Sequence, residues 1–280
     1  MDVAALIRTH RSLLTPAERR AADALLADPQ LVAFGTVAEL ASRAETSGAT
    51  VVRLANRLGL DGYADLQGRV RADLSRRLRP ATERIRQPAP ADLLGRTAGA
   101  AHDALDATLG RLDRTAFRAA VALLAARSHQ VFVAVSEAST GIGLQVAVEL
   151  AMLRPGVVRV HGNPVAVYRT VADLRPGDAL LVLDLPRYDR WLLELVDHAV
   201  DRGARLVALT DSEVAPVAAR AELLFTVGGG GAGPFDSHVA ALALLEALVA
   251  GAAAQRRGPA AEQLDRIESS WGAAAVLDEG

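Results

Sequence analysis

The feature that most constrains this chain begins at His129. Five short runs rich in valine and leucine follow: VFVAVS (131–136), VVRVHG (157–162), ALLVLDL (179–185), RLVALTD (205–211) and LLFTVG (223–228). Polar residues, Gly or Pro bound each run, and stretches of helical texture separate them. A strand that is apolar on both faces must be covered on both faces. Such strands alternating with helices therefore predict a five-stranded parallel sheet flanked by helices. The intervening helices are expected at about 140–152, 164–173, 190–202, 214–221 and 236–254. Gly228 to Pro234, GGGGAGP, reads as a flexible loop, and residues 255–280 as a tail with one weak helix.

The chain ahead of His129 has a different texture. From Leu14 to Leu78 the apolar residues recur at helical spacing, with no strand-like alternation. Thr15-Pro16-Ala17-Glu18 opens one helix with a capping residue, a first-turn proline and a capping-box glutamate. That helix runs to about Ala27, before Asp28-Pro29. Thr36-Val37-Ala38-Glu39 repeats the signal and starts TVAELASRA. A polar turn, Glu45-Thr46-Ser47-Gly48, leads into ATVVRLANRLG, closed by Gly59. Tyr63 to Leu78 reads as an arginine-rich helix. Pro80, Pro88 and Pro90 mark a linker between Arg79 and about Ala91. Residues 91–128 look helical again.

Composition narrows the function classes. The 280 residues are 51% hydrophobic and 23% charged, enough apolar mass for one large or two smaller cores and too much for global disorder. The length favours two domains. The absence of cysteine excludes disulfides, thiolate metal sites and cysteine nucleophiles. No apolar run reaches the roughly 18 residues of a spanning helix. MDVAALIRTHRSLL has arginines within its apolar stretch and no small-residue cleavage site, so it does not read as a signal peptide, and a cytoplasmic location is expected. All 31 basic residues are arginine, as a GC-rich genome would favour. Residues 1–79 hold 12 Arg against 9 acids, a balance of +3, and residues 80–280 hold 19 against 24, a balance of −5. A mildly basic head on an acidic body is compatible with nucleic-acid binding by the head.

Two short helices joined by a tight polar turn form the hairpin that reads DNA. The first (36–44) would brace, and the second (about 48–58) would enter the major groove. Val37, Leu40, Ala41, Val51, Val52, Leu54, Ala55 and Leu58 would supply the apolar faces, with Ala41 small enough for close helix approach. Ser47 stands at the N-cap, where its hydroxyl and the free amides behind it can also grip a phosphate. Thr50, Arg53, Asn56 and Arg57 are left to face outward. Arg53 and Arg57, four apart, share a face. Arginine can bond guanine edges bidentately and asparagine can read adenine. The plain alternative is a hairpin that packs on the rest of the protein, with Arg53 and Arg57 as a solvated face.

The run Thr36, Glu39, Leu40, Ala41, Ala44, Ser47, Ala49, Thr50, Val51, Val52, Arg53, Leu54, Leu58, Gly59, Gly62, Tyr63 and Leu66 resembles the N-terminal domain of the RpiR family of bacterial transcription regulators. The resemblance implies a compact helical domain that binds operator DNA as a dimer. It implies DNA contacts at or near Thr36, Ser47, Thr50, Arg53 and Arg57, with Asn56 and Gly48 at variable positions suited to operator choice. The same family carries a C-terminal SIS (sugar isomerase) domain, which residues 112–255 resemble in order and spacing. Gly203-Ala204 to Ala219 looks like its fourth strand and following turn, and Phe235-Asp236-Ser237-His238 like the start of its last helix.

In open parallel sheets ligands sit beyond the carboxyl ends of the strands, near helix N-termini. That places an effector site at Ser136, Ser139, Thr140, Asp184, Arg187, Tyr188, Thr210 and Ser212, with His238 at a helix start. The sugar-phosphate form of the domain usually has Gly-x-Gly-x-Ser after the first strand. This chain has Val135-Ser136-Glu137-Ala138-Ser139, which keeps only Ser139. Its usual Ser-x-Ser-Gly-x-Thr is replaced by Asp184-Leu185-Pro186-Arg187-Tyr188-Asp189, an Arg-Tyr variant shared by a subset of RpiR-like regulators. Glycines let backbone amides approach a phosphate; Glu137 adds repulsion, and Arg187 and Tyr188 could supply new contacts. The ligand is thus a sugar phosphate, another small anion or metabolite, or none, with the pocket serving oligomerisation alone.

The resulting organisation is α plus α/β. Residues 1–79 form a helix-turn-helix domain, 80–111 a linker and connecting helix, 112–255 an SIS-like effector and dimerisation domain, and 256–280 a tail. The expected partners are operator DNA, a small effector and a second or further copy of the chain as homodimer or homotetramer. No membrane, metal, cofactor or catalytic residue is expected. An isomerase needs a base and an acid near adjacent sugar carbons; Glu137, Glu149, His161 and His238 are available in type, but the sequence assembles no pair. A sugar-phosphate isomerase and a non-catalytic scaffold therefore remain as alternatives.

Overall fold

The computed structural model describes residues 3–77, 80–88 and 91–276. Leu78, Arg79 and Pro90, at the expected helix end and in the linker, lie outside the described residues. The chain forms two compact units, one built on the chain through Arg86 together with Ser212–Ala219 and the other on residues 87–211 and from Arg220 on.

The first unit is helical: α1 (Val3–His10), α2 (Pro16–Ala27), α3 (Pro29–Phe34), α4 (Val37–Arg43), α5 (Gly48–Arg57), α6 (Gly62–Arg77) and the short α7 (Ala81–Arg84). Both expected capping boxes form. The Thr36 backbone N–H and hydroxyl donate to the Glu39 carboxylate at 2.6 and 3.0 Å, and the Glu39 N–H donates back to the Thr36 hydroxyl at 3.3 Å. Thr15 and Glu18 repeat the arrangement at the start of α2. These reciprocal bonds satisfy amide donors that the first turn leaves orphaned. Helical spacing then gathers Ile7, Leu25, Leu40, Leu54, Leu58 and Leu66 into one buried cluster.

The second unit opens with α8 (Leu93–Leu109) and α9 (Arg114–Ala125), followed by β1 (Val131–Val135), α10 (Thr140–Leu153), β2 (Val157–Val160), α11 (Pro164–Val171), β3 (Ala179–Asp184), α12 (Arg190–Asp201), β4 (Arg205–Thr210), β5 (Leu223–Thr226), α13 (Val239–Gln255) and α14 (Arg257–Ala274). All strand pairs are parallel, in the order β2-β1-β3-β4-β5. Val131, Val133, Leu181, Leu183, Val207 and Leu209 share one core with α9, α10 and α13. Phe132, Ala134, Leu180, Val182, Leu206 and Ala208, of the opposite parity, are equally buried, and α11 and α12 pack against β2 and β4. Residue 143 must be glycine for α10 to lie this close to the sheet, because a Cβ there would fall 2.5 Å from a Val135 methyl. The helix most deeply sunk in this core, α13, is apolar along most of its length. Among the described residues no single helix is long and apolar enough to cross a membrane.

Arg154 is buried and forms no ion pair among the described residues, although the charge of Asp178 acts on it. Its guanidinium donates to the carbonyls of Leu124 at 2.8 Å, Pro155 at 3.0 Å and His129, joining the end of α9 to the approaches of β1 and β2. Burial, then the neighbouring Arg256 and Arg127, lower its pKa. The carbonyls are left over at helix and strand ends, where no ladder partner exists.

Three expectations are corrected. The helix at 214–221 is only a 3₁₀ turn, Pro216–Arg220, since Pro216 cannot join a helical ladder from within and β5 follows at once. Residues 91–128 form two helices rather than one. The first stops at Gly110, where a Cβ would meet the Asp106 carbonyl at 2.6 Å, and Asp113 caps the next. The tail carries α14, an 18-residue helix whose Ala260 and Leu264 join the body core.

Candidate DNA-reading face and effector cavity

Helix α5 begins where Ser47 places its hydroxyl to accept the Thr50 N–H at 3.3 Å. Val51, Leu54, Ala55 and Leu58 turn inward and are buried, so the positions between them must face out. Those are Ala49, Val52, Arg53 and Asn56, one stripe at helical spacing, all exposed. Ser47 and Thr36 are exposed beside their helix starts. Two side chains differ from the expectation. Thr50 is 5% exposed rather than outward, with its hydroxyl bonded to Ser47 at 3.0 Å and accepting from Arg53 at 2.9 Å. Val52, expected in the apolar face, is 37% exposed. A β-branched residue on the outer stripe can press against a thymine methyl.

Arg57 is exposed but occupied. Its Nε donates to Glu18 at 3.1 Å and a terminal nitrogen to the Leu13 carbonyl at 3.0 Å. Glu18 is 1% exposed. Burial opposes its charge, but hydrogen bonds from Thr15, then Arg57, outweigh it and hold the carboxyl below the usual range. Arg57 therefore neutralises a buried acid, a structural duty the sequence spacing did not show. Asn56 accepts the Gly62 N–H at 3.2 Å through its carbonyl oxygen, which leaves its amide hydrogens for another partner.

In the body, the expected effector residues gather at the carboxyl ends of β1, β3 and β4, where the order β2-β1-β3 puts the topological switch. Several of them are bonded to one another or share a partner. Ser136 and Ser139 share a hydrogen bond at 3.2 Å, and Ser139 bonds His238, 99 residues away, also at 3.2 Å. The Tyr188 hydroxyl donates to Asp211 at 2.9 Å, and Thr210 donates to the same oxygen at 3.3 Å. Ser212 accepts the Val214 N–H. Asp184 is fully buried and accepts the Asp189 N–H at 3.4 Å, while its Oδ2 has no hydrogen-bond partner among the described residues. Burial pushes its carboxyl up to about 7; the Asp189 N–H opposes this, and the charges of Asp189 and Asp211 add to it. Arg187 is exposed and held at φ +74°, a left-handed backbone that disfavours a side chain.

Beside this crevice, over β1 and β2, lies a cavity of about 520 Å³, within the size range of small-molecule sites. β1 contributes Val133 and Val135, and the turn and helix after it Glu137, Thr140 and Leu144. β2 and its following turn contribute Arg159, Val160 and His161; α11 contributes Val167 and Tyr168, and α12 Trp191 and Glu194. Tyr168 is braced edge-on by His198, ring centroids 5.5 Å apart. Of the expected effector residues only Thr140 lines this cavity. Arg159 was legible as the single charge inside an otherwise apolar strand run, and Trp191 as one of only two tryptophans. Among the described residues no group of three or more His, Asp or Glu could hold a metal ion.

A capped helical hairpin with an arginine on its outer stripe, joined in one chain to a five-stranded parallel sheet flanked by helices, is the architecture of a helix-turn-helix DNA-binding protein with an α/β body. Family models place it further. Residues 1–77 match the helix-turn-helix domain of the rpiR family, and residues 124–251 match the SIS domain. The chain belongs to the RpiR family of transcriptional regulators, with an N-terminal helix-turn-helix and a C-terminal SIS domain. An uncharacterized HTH-type transcriptional regulator of Bacillus subtilis, YbbH, is 27% identical over 281 residues, covering 95% of both chains. The sugar isomerase domain of an RpiR transcription factor from Sphaerobacter thermophilus is 25% identical, covering 63% of this chain and 98% of that one, with a TM-score of 0.59. NanR of Vibrio vulnificus, solved with ManNAc-6P, shares the fold over 99% of this chain and 100% of its own, at 20% identity and a TM-score of 0.56.

Proposed function

We propose that this regulator reads operator DNA with the outer stripe of α5 and senses a small, carbohydrate-derived anion in its body, without turning it over. Residues 1–79 would be the DNA-binding domain and 112–255 the effector and oligomerisation domain, working as a homodimer or homotetramer in the cytoplasm. The observation that carries the reading is the outward stripe of Ala49, Val52, Arg53 and Asn56 behind the Ser47 cap. Thr36 and Ser47 would hold phosphates at the two helix starts, Arg53 and Asn56 would meet base edges, and Thr50 would orient Arg53. The effector would enter the cavity over β1 and β2, which Thr140 lines. That NanR holds ManNAc-6P on the same fold supports a carbohydrate ligand. By linkage, such a ligand changes DNA affinity only as far as it prefers one arrangement of the protein.

Fluorescence anisotropy with promoter fragments from the neighbouring operon tests this reading. Binding that weakens with salt, weakens again in Arg53→Ala and shifts with a metabolite supports it; no preference for any fragment overturns it. One observation favours a second reading. Glu137 and His161, a base and an acid in type, line the same cavity, as a sugar-phosphate isomerase would require. Turnover of aldose and ketose phosphates, abolished by Glu137→Gln, would establish that reading instead.

A further inference from the structure

The loops after β1 and β3, which hold the phosphate in the sugar-phosphate form of the domain, are closed to an anion here. The Glu137 N–H, which would face one, donates instead to Asp189 at 2.7 Å. Asp184, Asp189 and Asp211 stand together at the end of β3 and β4, so an arriving phosphate would meet carboxylates. The Ser136 and Ser139 hydroxyls are committed to each other and to His238. The cavity next to them has the opposite character on one wall. Arg159, on β2 and paired in register with Val133, is half-buried and lines it. Its guanidinium makes no hydrogen bond or ion pair among the described residues. A partly desolvated guanidinium without a counter-charge is costly unless something supplies one. His161 follows two residues later on the same wall, and Trp191 and Tyr168 offer flat apolar faces.

We propose that Arg159 is the anion seat of this regulator: it binds the carboxylate or phosphate of a small polyol whose body lies against Trp191 and Tyr168. The loops after β1 and β3 then close the site without touching the anionic group. Glu137, Thr140 and Glu194 are left to take hydroxyls, which suits a polyol better than a purely apolar acid. The proposal rests on the reading of the cavity as an effector pocket and moves its charge recognition from one side of β1 to the other.

The test uses the full chain carrying Trp271→Phe, which leaves Trp191 as the sole tryptophan. Its fluorescence is titrated with D-gluconate, D-glucose 6-phosphate and inorganic phosphate, and with D-sorbitol as the uncharged polyol. At least one of the two polyol anions should saturate, and sorbitol should not. Arg159→Gln should weaken that binding about 10- to 100-fold, as loss of a charge-assisted bidentate contact does. Arg159→Lys should recover part of it, and Arg187→Gln should leave it within about twofold, less than a single lost hydrogen bond. Gluconate against glucose 6-phosphate separates the carboxylate from the phosphate source. Quenching by iodide relative to neutral acrylamide should also fall in Arg159→Gln, an effect of local charge that needs no ligand. Anion binding that survives Arg159→Gln but fails in Arg187→Gln overturns the proposal, as does the lack of any saturable response with iodide quenching unchanged. Anion binding that never alters promoter affinity would keep the seat and sink the effector reading. Promoter affinity that responds to gluconate or glucose 6-phosphate equally in Arg159→Gln would do the reverse.

Discussion

The outer stripe of α5 and the crevice after β3 are both functional surfaces made of polar side chains, yet they are built by opposite means. On α5 most positions follow from local rules: a serine cap starts the helix, buried leucines and valines fix its rotation, and most of the remaining residues face out. In the crevice the partners come from distant parts of the chain, as Ser139 and His238 or Tyr188 and Asp211 do. The first surface is open and its side chains are largely available. The second is closed by internal hydrogen bonds and by carboxylates that repel one another. A surface set by local periodicity tolerates exchange of its outward residues, whereas a surface set by long-range pairing couples each residue to stability.

Substitutions at five positions sharpen or break that contrast. The largest effect is expected in the body, at Arg154→Leu. It should cost about 3–5 kcal/mol, since the buried Leu124 carbonyl and the part-buried Pro155 and His129 carbonyls lose their donor, and calorimetry should show a large fall in Tm. Next is Asp184→Asn. The folded pKa of Asp184 lies near 7, above its ordinary carboxylate value, so ionisation is penalised in the folded state. That penalty is absent below about pH 4, grows as the pH rises and is complete above about pH 7, reaching on the order of 4 kcal/mol. Denaturant melts of the wild type and Asp184→Asn should therefore coincide at low pH and diverge toward pH 8, the variant being the more stable. Equal stability at pH 8 would contradict the buried, crowded carboxyl.

In the head, Arg53→Ala should weaken promoter binding by about 1–3 kcal/mol with little change in Tm, as expected for a base contact. Arg57→Ala should instead lower Tm, because it strips Glu18 of its counter-charge. A Tm change in Arg53→Ala, or none in Arg57→Ala, would erase the distinction drawn between them. A modest stability effect is expected at Ser47. Ser47→Ala should cost about 1 kcal/mol through loss of the cap, while Ser47→Asp keeps the cap. If Ser47 sits at a phosphate, Ser47→Asp should abolish promoter binding despite its normal Tm. Retained binding would remove Ser47 from the interface.

Much of the architecture was legible because it is periodic. The five strands lie inside the five valine- and leucine-rich runs, and both capping boxes start helices where Thr15 and Thr36 predict them. The misses share a cause. Thr50 is polar yet buried, because its hydroxyl finds Ser47 and Arg53 within one turn. Val52 is apolar yet exposed, because the core ran out of positions on that face. Arg57 looked like the twin of Arg53, but its partner Glu18 is 39 residues away and no local pattern announces it. In the body, the carboxyl ends of the strands were predicted as the site on topological grounds. A cavity lies on the β2 side of β1, and which loops hydrogen-bond to each other decides how much of the crevice beside it is open.

The amino-acid order alone settled the helical head and the parallel sheet and turned Arg53 and Asn56 outward on α5, since spacing, caps and alternation act over a few residues. Which charges are available was decided only in three dimensions. Arg57 is spent on a buried acid, the Glu137 amide on Asp189, and Arg159 is left facing a cavity. Charge and hydrogen-bond satisfaction depend on neighbours brought together by the fold, and such neighbours leave no mark on the local pattern.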